Sequence, residues 1–233
     1  MQKEVKPIIP TKDHYEILRE LLNLEDKSVL DVGCGAGHLT RFMSQMGAYA
    51  IGIDPGSSQL ERAIVQSVGT ENYIKGTAEN LPIRDNSIDI IIYFNSLHHV
   101  PVDQLGIALK EAYRTLENEG ILYISEPLAE GPLFNLSQPF NDETLVRREA
   151  YKAIKRSLNS GFLIKKELFY KTDVIYPDAK TYKENSISIN TEREKYFREM
   201  GDKFRERFEQ YGKKDAKGWK FSQVIRVNIL KTN

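Results

Sequence analysis

The chain has 233 residues, enough for one large domain or one domain carrying an inserted subdomain. Lys plus Arg and Asp plus Glu both total 33, so the formal net charge is zero and the balance gives no reason to expect a nucleic-acid partner. The single cysteine, Cys34, excludes an intrachain disulfide. The opening MQKEVKPIIP lacks the apolar core of a signal peptide, and the apolar run 90–94 is far short of the ~20 residues of a membrane helix. These features lead us to expect a soluble cytoplasmic protein with no membrane span. The two basic runs, KRSLNSGFLIKK and YGKKDAKGWK, read as solvated surface.

In chain order, residues 12–24 place Tyr15, Leu18, Leu21 and Leu22 at helical spacing. KSVLDV (27–32) is a short β-branched strand ending at glycine, and 37–46 returns to helical character. YAIGI (49–53) is a second strand closed by Asp54-Pro55, 58–68 a third helix, and 73–75 a short strand. IDIIIYF (88–94) is almost unbroken in apolar character, as expected for a central strand covered on both faces. A helix over 101–116 and a strand over 120–125 complete the alternation. That alternation over 27–125 specifies an α/β fold with a doubly wound, Rossmann-like sheet, whose binding crevice lies at the carboxyl ends of the strands.

The remainder has a different pattern. Residues 142–159 read as a helix with an acidic start. Residues 162–175 and 219–230 alternate apolar with polar, which suggests an antiparallel strand pair added to the parallel sheet. Between them, 177–218 reads as a helical insertion or lid. Within it, 191–211 forms one amphipathic helix with Phe197, Met200, Phe204, Phe208 and Tyr211 on a single face, for which core packing is the default.

LDVGCGAGHLT (30–40) is the most informative stretch. A phosphate-binding P-loop ends in Gly-Lys-Ser/Thr, but Gly37 is followed by His38 and Leu39. In the dinucleotide fingerprint G-x-G-x-x-G, Gly33 and Gly35 fit but the third position falls on His38, which weakens that reading. Asp54, at the end of the second strand, stands where a carboxylate can accept hydrogen bonds from ribose hydroxyls and would repel a 2′-phosphate.

The ordered series VLDVGCGAG, GIDP, GTAENLPIRDNSID, FNSLHHV and EAYRTLENEGILYISEP resembles that of class I S-adenosylmethionine-dependent methyltransferases. It is most similar to the branch containing the ubiquinone- and menaquinone-biosynthesis enzymes and many small-molecule methyltransferases. The resemblance covers residues 27–127. It implies S-adenosyl-L-methionine as cofactor on a seven-stranded, mostly parallel sheet. Asp31, Gly33, Cys34 and Gly35 would surround the methionine part, with Asp54 on the ribose and Pro55 beside the adenine. Thr77, Ala78 and Glu79 would meet the adenine, and Asn95 and Ser96 would border the methionine part and the sulfonium. Cys34 itself reads as a small buried filler rather than a nucleophile. No metal site is expected.

The organisation expected is a single domain: an N-terminal helical cap (1–26), a cofactor-binding half (27–127) and a substrate-side half (128–233) with the insertion at about 177–218. The Pro- and Gly-rich segment 126–140 reads as a loop over the pocket. Methyl transfer needs an acceptor aligned with the C–S bond, and for hydroxyl or carbon acceptors also a base. His98 and His99 follow the fourth strand and are the candidates. The acceptor expected is a small molecule, and the protein a monomer or homodimer. A non-catalytic S-adenosylmethionine-binding regulator and a nicotinamide-dependent oxidoreductase remain as rivals. His38 in place of the third glycine argues against the second.

Overall fold

The computed structural model describes residues 9–233, so the first eight residues of the expected N-terminal cap, and most of MQKEVKPIIP, lie outside the described residues. The helix expected over 12–24 is shorter, α1 at His14–Leu21. The alternating part follows as β1 (Ser28–Val32), α2 (His38–Gln45), β2 (Tyr49–Asp54), α3 (Ser57–Val65) and β3 (Asn72–Lys75). Next come β4 (Ile88–Phe94), a 3-10 turn (Leu97–His99), α4 (Leu105–Thr115) and β5 (Leu116–Pro127). Strands β1 to β5 pair in parallel, Leu30 lying against Ile51 on one side and Ile91 on the other.

Alternation along β1 decides what each residue does. Leu30 and Val32 enter an apolar cluster with Ile91, Tyr93, Leu105, Ala108 and Leu109. Asp31, between them, sends its carboxylate the other way, where the Thr40 hydroxyl donates to it at 2.7 Å. Each Leu, Ile, Val and Phe side chain buried in this cluster contributes about 1.5–3 kcal/mol relative to exposure.

The second half of the chain holds α5 (Pro132–Ser137), α6 (Thr144–Ser157), β6 (Leu163–Tyr176), α7 (Ala179–Ile189), α8 (Arg193–Met200), α9 (Asp202–Tyr211), β7 (Lys213–Asp215) and β8 (Gly218–Lys231). The sheet order is β3-β2-β1-β4-β5-β8-β6, with β7 pairing antiparallel to β8 off this path. Seven strands therefore form the main sheet, as the α/β reading expects, and the eighth is a three-residue addition.

The single helix expected over 191–211 is in fact two. Gly201 (φ +50°) ends α8 and opens α9, and the aromatic spacing continues across the break. Sequence periodicity registers the shared apolar face but not a one-residue interruption that leaves it intact. The segment 126–140, expected as a loop, contains α5, with Pro132 at its first turn.

The described chain divides into two compact units. One comprises Tyr15–Glu126, Leu145–Leu168 and Arg226–Asn233; the other comprises Pro127–Thr144, Phe169–Ile225 and the described residues before Tyr15. The core of the second unit is aromatic: Tyr182, Phe197, Phe204, Phe208 and Phe221 are buried together with Leu136. Phe197 and Phe204 meet edge to face with centroids 4.8 Å apart. The aromatic face of α8 and α9 is thus core, as the default reading held.

Candidate active site at the strand ends

Within the first unit, the carboxyl ends of β1, β2 and β4 converge on a cavity of about 640 Å³, in the size range of small-molecule sites. Of the expected cofactor residues, Gly33, Gly35, Asp54, Pro55, Thr77, Ala78, Glu79, Asn95 and Ser96 line it. Of the two histidines, only His99 does. Asp31, Cys34 and His98 lie outside the lining.

The glycine loop is held by its own amides. The N–H groups of Gly33 and Cys34 both donate to the Ile53 carbonyl, at 2.8 and 3.0 Å. Gly35 N–H donates to Asp54 Oδ2 at 2.9 Å, and Gly56 N–H to the other oxygen, Oδ1, at 2.8 Å. One carboxylate thereby ties the β1 loop to the turn before α3, while each of its oxygens keeps a second lone pair. Three amides that a phosphate cradle would present to its ligand are spent inside the protein.

Gly33 adopts φ +78°, and a Cβ there would stand 2.6 Å from Ser96 Cβ. Ser96 cannot retreat easily, because its hydroxyl donates to the Val32 carbonyl at 2.6 Å. Gly37, which opens α2, is equally tight: a Cβ would lie 2.5 Å from the Tyr73 hydroxyl. Its φ of +75° and the close approach of Tyr73 of β3 both favour glycine at position 37.

The segment carrying Thr77, Ala78 and Glu79 is fastened to α4. Glu111 accepts from the Leu81 amide at 3.0 Å, and Arg114 bonds Glu111, Asp85 and the carbonyls of Leu81 and Ile83. Asp89 is paired with Lys27 and accepts from both the amide and the hydroxyl of Ser28. These partners hold the Glu111 and Asp89 carboxyls below the usual carboxylate range. Much of GTAENLPIRDNSID is therefore scaffolding for the three residues that reach the cavity.

Asn95 has φ +54°, and its amide donates to the Ser125 carbonyl at 2.8 Å. Its side-chain Oδ1 is buried without a hydrogen-bond partner. An unmet buried acceptor costs about 1–3 kcal/mol, which a ligand donor would recover. Among the described residues, the lining holds two carboxylates, Asp54 and Glu79, and no Lys or Arg. Such a wall favours a cation bearing hydroxyls and disfavours phosphates.

Behind the loop, burial raises the Asp31 carboxyl to about 7 against the opposing Thr40 hydrogen bond, with the Asp54 charge adding to the rise. Burial also pushes the Cys34 thiol up, with Asp31 and Asp54 reinforcing it, so Cys34 is a protonated filler.

The two histidines divide. His98 is buried, and its Nδ1 pairs with the buried Glu126 carboxylate, whose other oxygen accepts from the Leu97 amide at 2.9 Å. Glu126 thus fixes the turn that carries His99 to the cavity wall. The sequence reading passed over Glu126, Gln59, Val100 and Pro101; the last three also line the cavity. Gln59 lies in the first turn of α3, directly after Asp54-Pro55-Gly56, a spacing that could have located it.

Residues 30–124 match a family model described as a methyltransferase domain. Over that stretch the chain is similar to methyltransferase domains. The chain is 38% identical over 110 residues to malonyl-[acyl-carrier protein] O-methyltransferase of Yersinia pestis, covering 47% of this chain and 40% of that protein. It is 36% identical over 108 residues to the ubiquinone biosynthesis O-methyltransferase of Saccharophagus degradans, covering 43% and 45%. In both cases the match spans less than half of the relative's length. Among solved structures, the YcgJ protein of Bacillus subtilis superposes with a TM-score of 0.60 at 22% identity over 93% of this chain and 95% of that one, a likeness of fold. The matched stretch contains every residue that lines the cavity.

Proposed function

We propose that the cavity binds S-adenosyl-L-methionine and that the protein transfers its methyl group to a small molecule. The observation that carries this reading is the anionic lining under a glycine loop whose amides are already satisfied. It suits a sulfonium, an ammonium and a ribose better than a pyrophosphate. In this reading Asp54 receives the ribose hydroxyls, and Thr77, Ala78 and Glu79 border the adenine. Gly33, Gly35, Asn95 and Ser96 border the methionine part, with the free Oδ1 of Asn95 taking a hydrogen bond from the ammonium. Asp31 and Cys34 act from behind the loop, by shaping it.

When bound, S-adenosyl-L-methionine would supply an activated methyl group, which the acceptor would displace with the S–CH3 electron pair left on sulfur. The chain's own part is to hold the donor, exclude water and accept the acceptor's proton where it has one. In this reading His99, on the cavity wall, accepts that proton, and His98 with Glu126 holds the turn that carries it. The two relatives are O-methyltransferases, which makes an oxygen acceptor the first class to screen.

Calorimetric titration with S-adenosylmethionine, S-adenosylhomocysteine and NAD tests the reading. Both sulfur compounds should bind with one-to-one stoichiometry and NAD should not. Binding of NAD alone would overturn it in favour of a nicotinamide enzyme.

A further inference from the structure

The second unit has a cavity of its own, of about 400 Å³, and its charge is opposite to that of the methyl-donor cavity. Lys171 of β6, Lys213 of β7 and Lys220 of β8 line it, with Tyr211, Ser222 and one acid, Glu130. Two of these lysines come from the run YGKKDAKGWK, which reads as solvated surface in sequence.

Lys213 and Lys220 are direct cross-strand partners in the antiparallel β7–β8 pair, so their side chains leave the same face. Like charges directly opposite one another destabilise a hairpin, and free lysines on a solvated strand would more simply be staggered or paired. Compensation is partial. Lys220 Nζ stands 3.5 Å from Asp173 Oδ2, but Asp173 also accepts the Ser222 hydroxyl. Neither Lys171 nor Lys213 has an ion-pair partner among the described residues. The Lys171 backbone is pinned in place, its amide donating to the Pro10 carbonyl and its carbonyl accepting from the Lys12 amide, each at 2.8–2.9 Å. Three ammonium groups from three strands therefore share one concave surface with less than their complement of negative charge. A repulsive arrangement of this kind is relieved by a bound anion.

We propose that this cavity binds the oxyanion group, phosphate or carboxylate, of a small molecule, held by Lys171, Lys213 and Lys220. The site goes beyond the methyl-donor reading and shares no residue with that cavity. Its volume accommodates a phosphate ester or a polycarboxylate rather than a single water-sized ion.

The test is calorimetric titration of the full chain with pyrophosphate and with citrate at low ionic strength. The measurement is repeated on the double variant Lys171→Ala/Lys213→Ala. Saturable one-to-one binding of one of the two anions is expected, weakened about tenfold or more in the double variant and by added salt. The anion that binds more tightly assigns the group as phosphate or carboxylate. S-adenosylmethionine titrated into the same samples reports on the other cavity separately and should bind the variant as it binds the parent chain. That control, with circular dichroism, shows that the variant is folded. Absence of saturable binding by either anion, or equal affinity in the double variant, overturns the proposal whatever the methyl-donor titration shows.

Discussion

Replacing Gly33 by alanine tests how the cavity at the strand ends is built. The residue sits at φ +78°, where an L side chain costs about 1–2 kcal/mol. The new Cβ would stand 2.6 Å from Ser96 Cβ, against an ordinary carbon contact of about 3.5–4.0 Å, so one of the two must move by about 1 Å. Ser96 is tied to Val32 by its hydroxyl, and the Gly33 amide to Ile53, so the shift strains two strand ends. Overpacking of this kind adds about 1–3 kcal/mol, for a total of roughly 2–5 kcal/mol. At about 2–4 °C per kcal/mol for a chain of this length, Tm should fall by roughly 4–20 °C. Gly35→Ala is the control: it has φ +53° but nothing within 4 Å of its Cβ, so only the backbone cost applies. Thermal unfolding followed by circular dichroism, with S-adenosylmethionine calorimetry alongside, should rank Gly33→Ala below Gly35→Ala in both stability and affinity. A Gly33→Ala variant as stable as Gly35→Ala would refute the close-approach argument.

Three further outcomes follow from the same geometry. His98→Ala removes the side-chain partner of Glu126 Oε2, leaving that buried carboxylate only the Leu97 and His98 amides among the hydrogen bonds described, and should cost about 1–3 kcal/mol in urea unfolding, whereas His99→Ala should cost under about 1 kcal/mol and act on turnover; equal losses would contradict the division of the two histidines. Asp54→Ala removes the acceptor of two loop amides and should weaken S-adenosylmethionine by about tenfold or more in calorimetry, and unchanged affinity would count against the proposed ribose contact. Asp31 has a folded-state value raised to about 7, so the native state holds its proton more tightly than the unfolded chain. Its contribution is full at low pH and is lost as pH rises from about 4 to about 7, on the order of 4 kcal/mol. Asp31→Asn keeps an acceptor for Thr40 and should flatten the stability profile over that window; an unaltered profile would remove Asp31 as its source.

The parallel half of the fold was legible in sequence because its strands are short, apolar and spaced by helices of regular period. IDIIIYF coincides with β4 as found. Most of the site was legible too, because residues at strand ends inherit their positions from the sheet. Illegible were the distinctions that depend on where a side chain points. His98 and His99 are neighbours of one type, yet a 3-10 turn buries the first on Glu126 and puts the second on the cavity wall. Asp31 and Asp54 are both acids at strand ends, yet one faces Thr40 behind the loop and the other lines the cavity. The helix break at Gly201 escaped because the aromatic face continues across it.

By itself, then, the sequence determined the order of elements, the parallel sheet and the likeness of residues 30–124 to methyltransferase domains, since hydrophobic period and glycine placement are local properties. Tertiary structure alone decided which acids are buried, which histidine reaches the cavity, and that Lys171, Lys213 and Lys220 share one concavity. Those outcomes depend on strand register and on burial, and contacts between residues tens of positions apart leave no periodic trace in the chain.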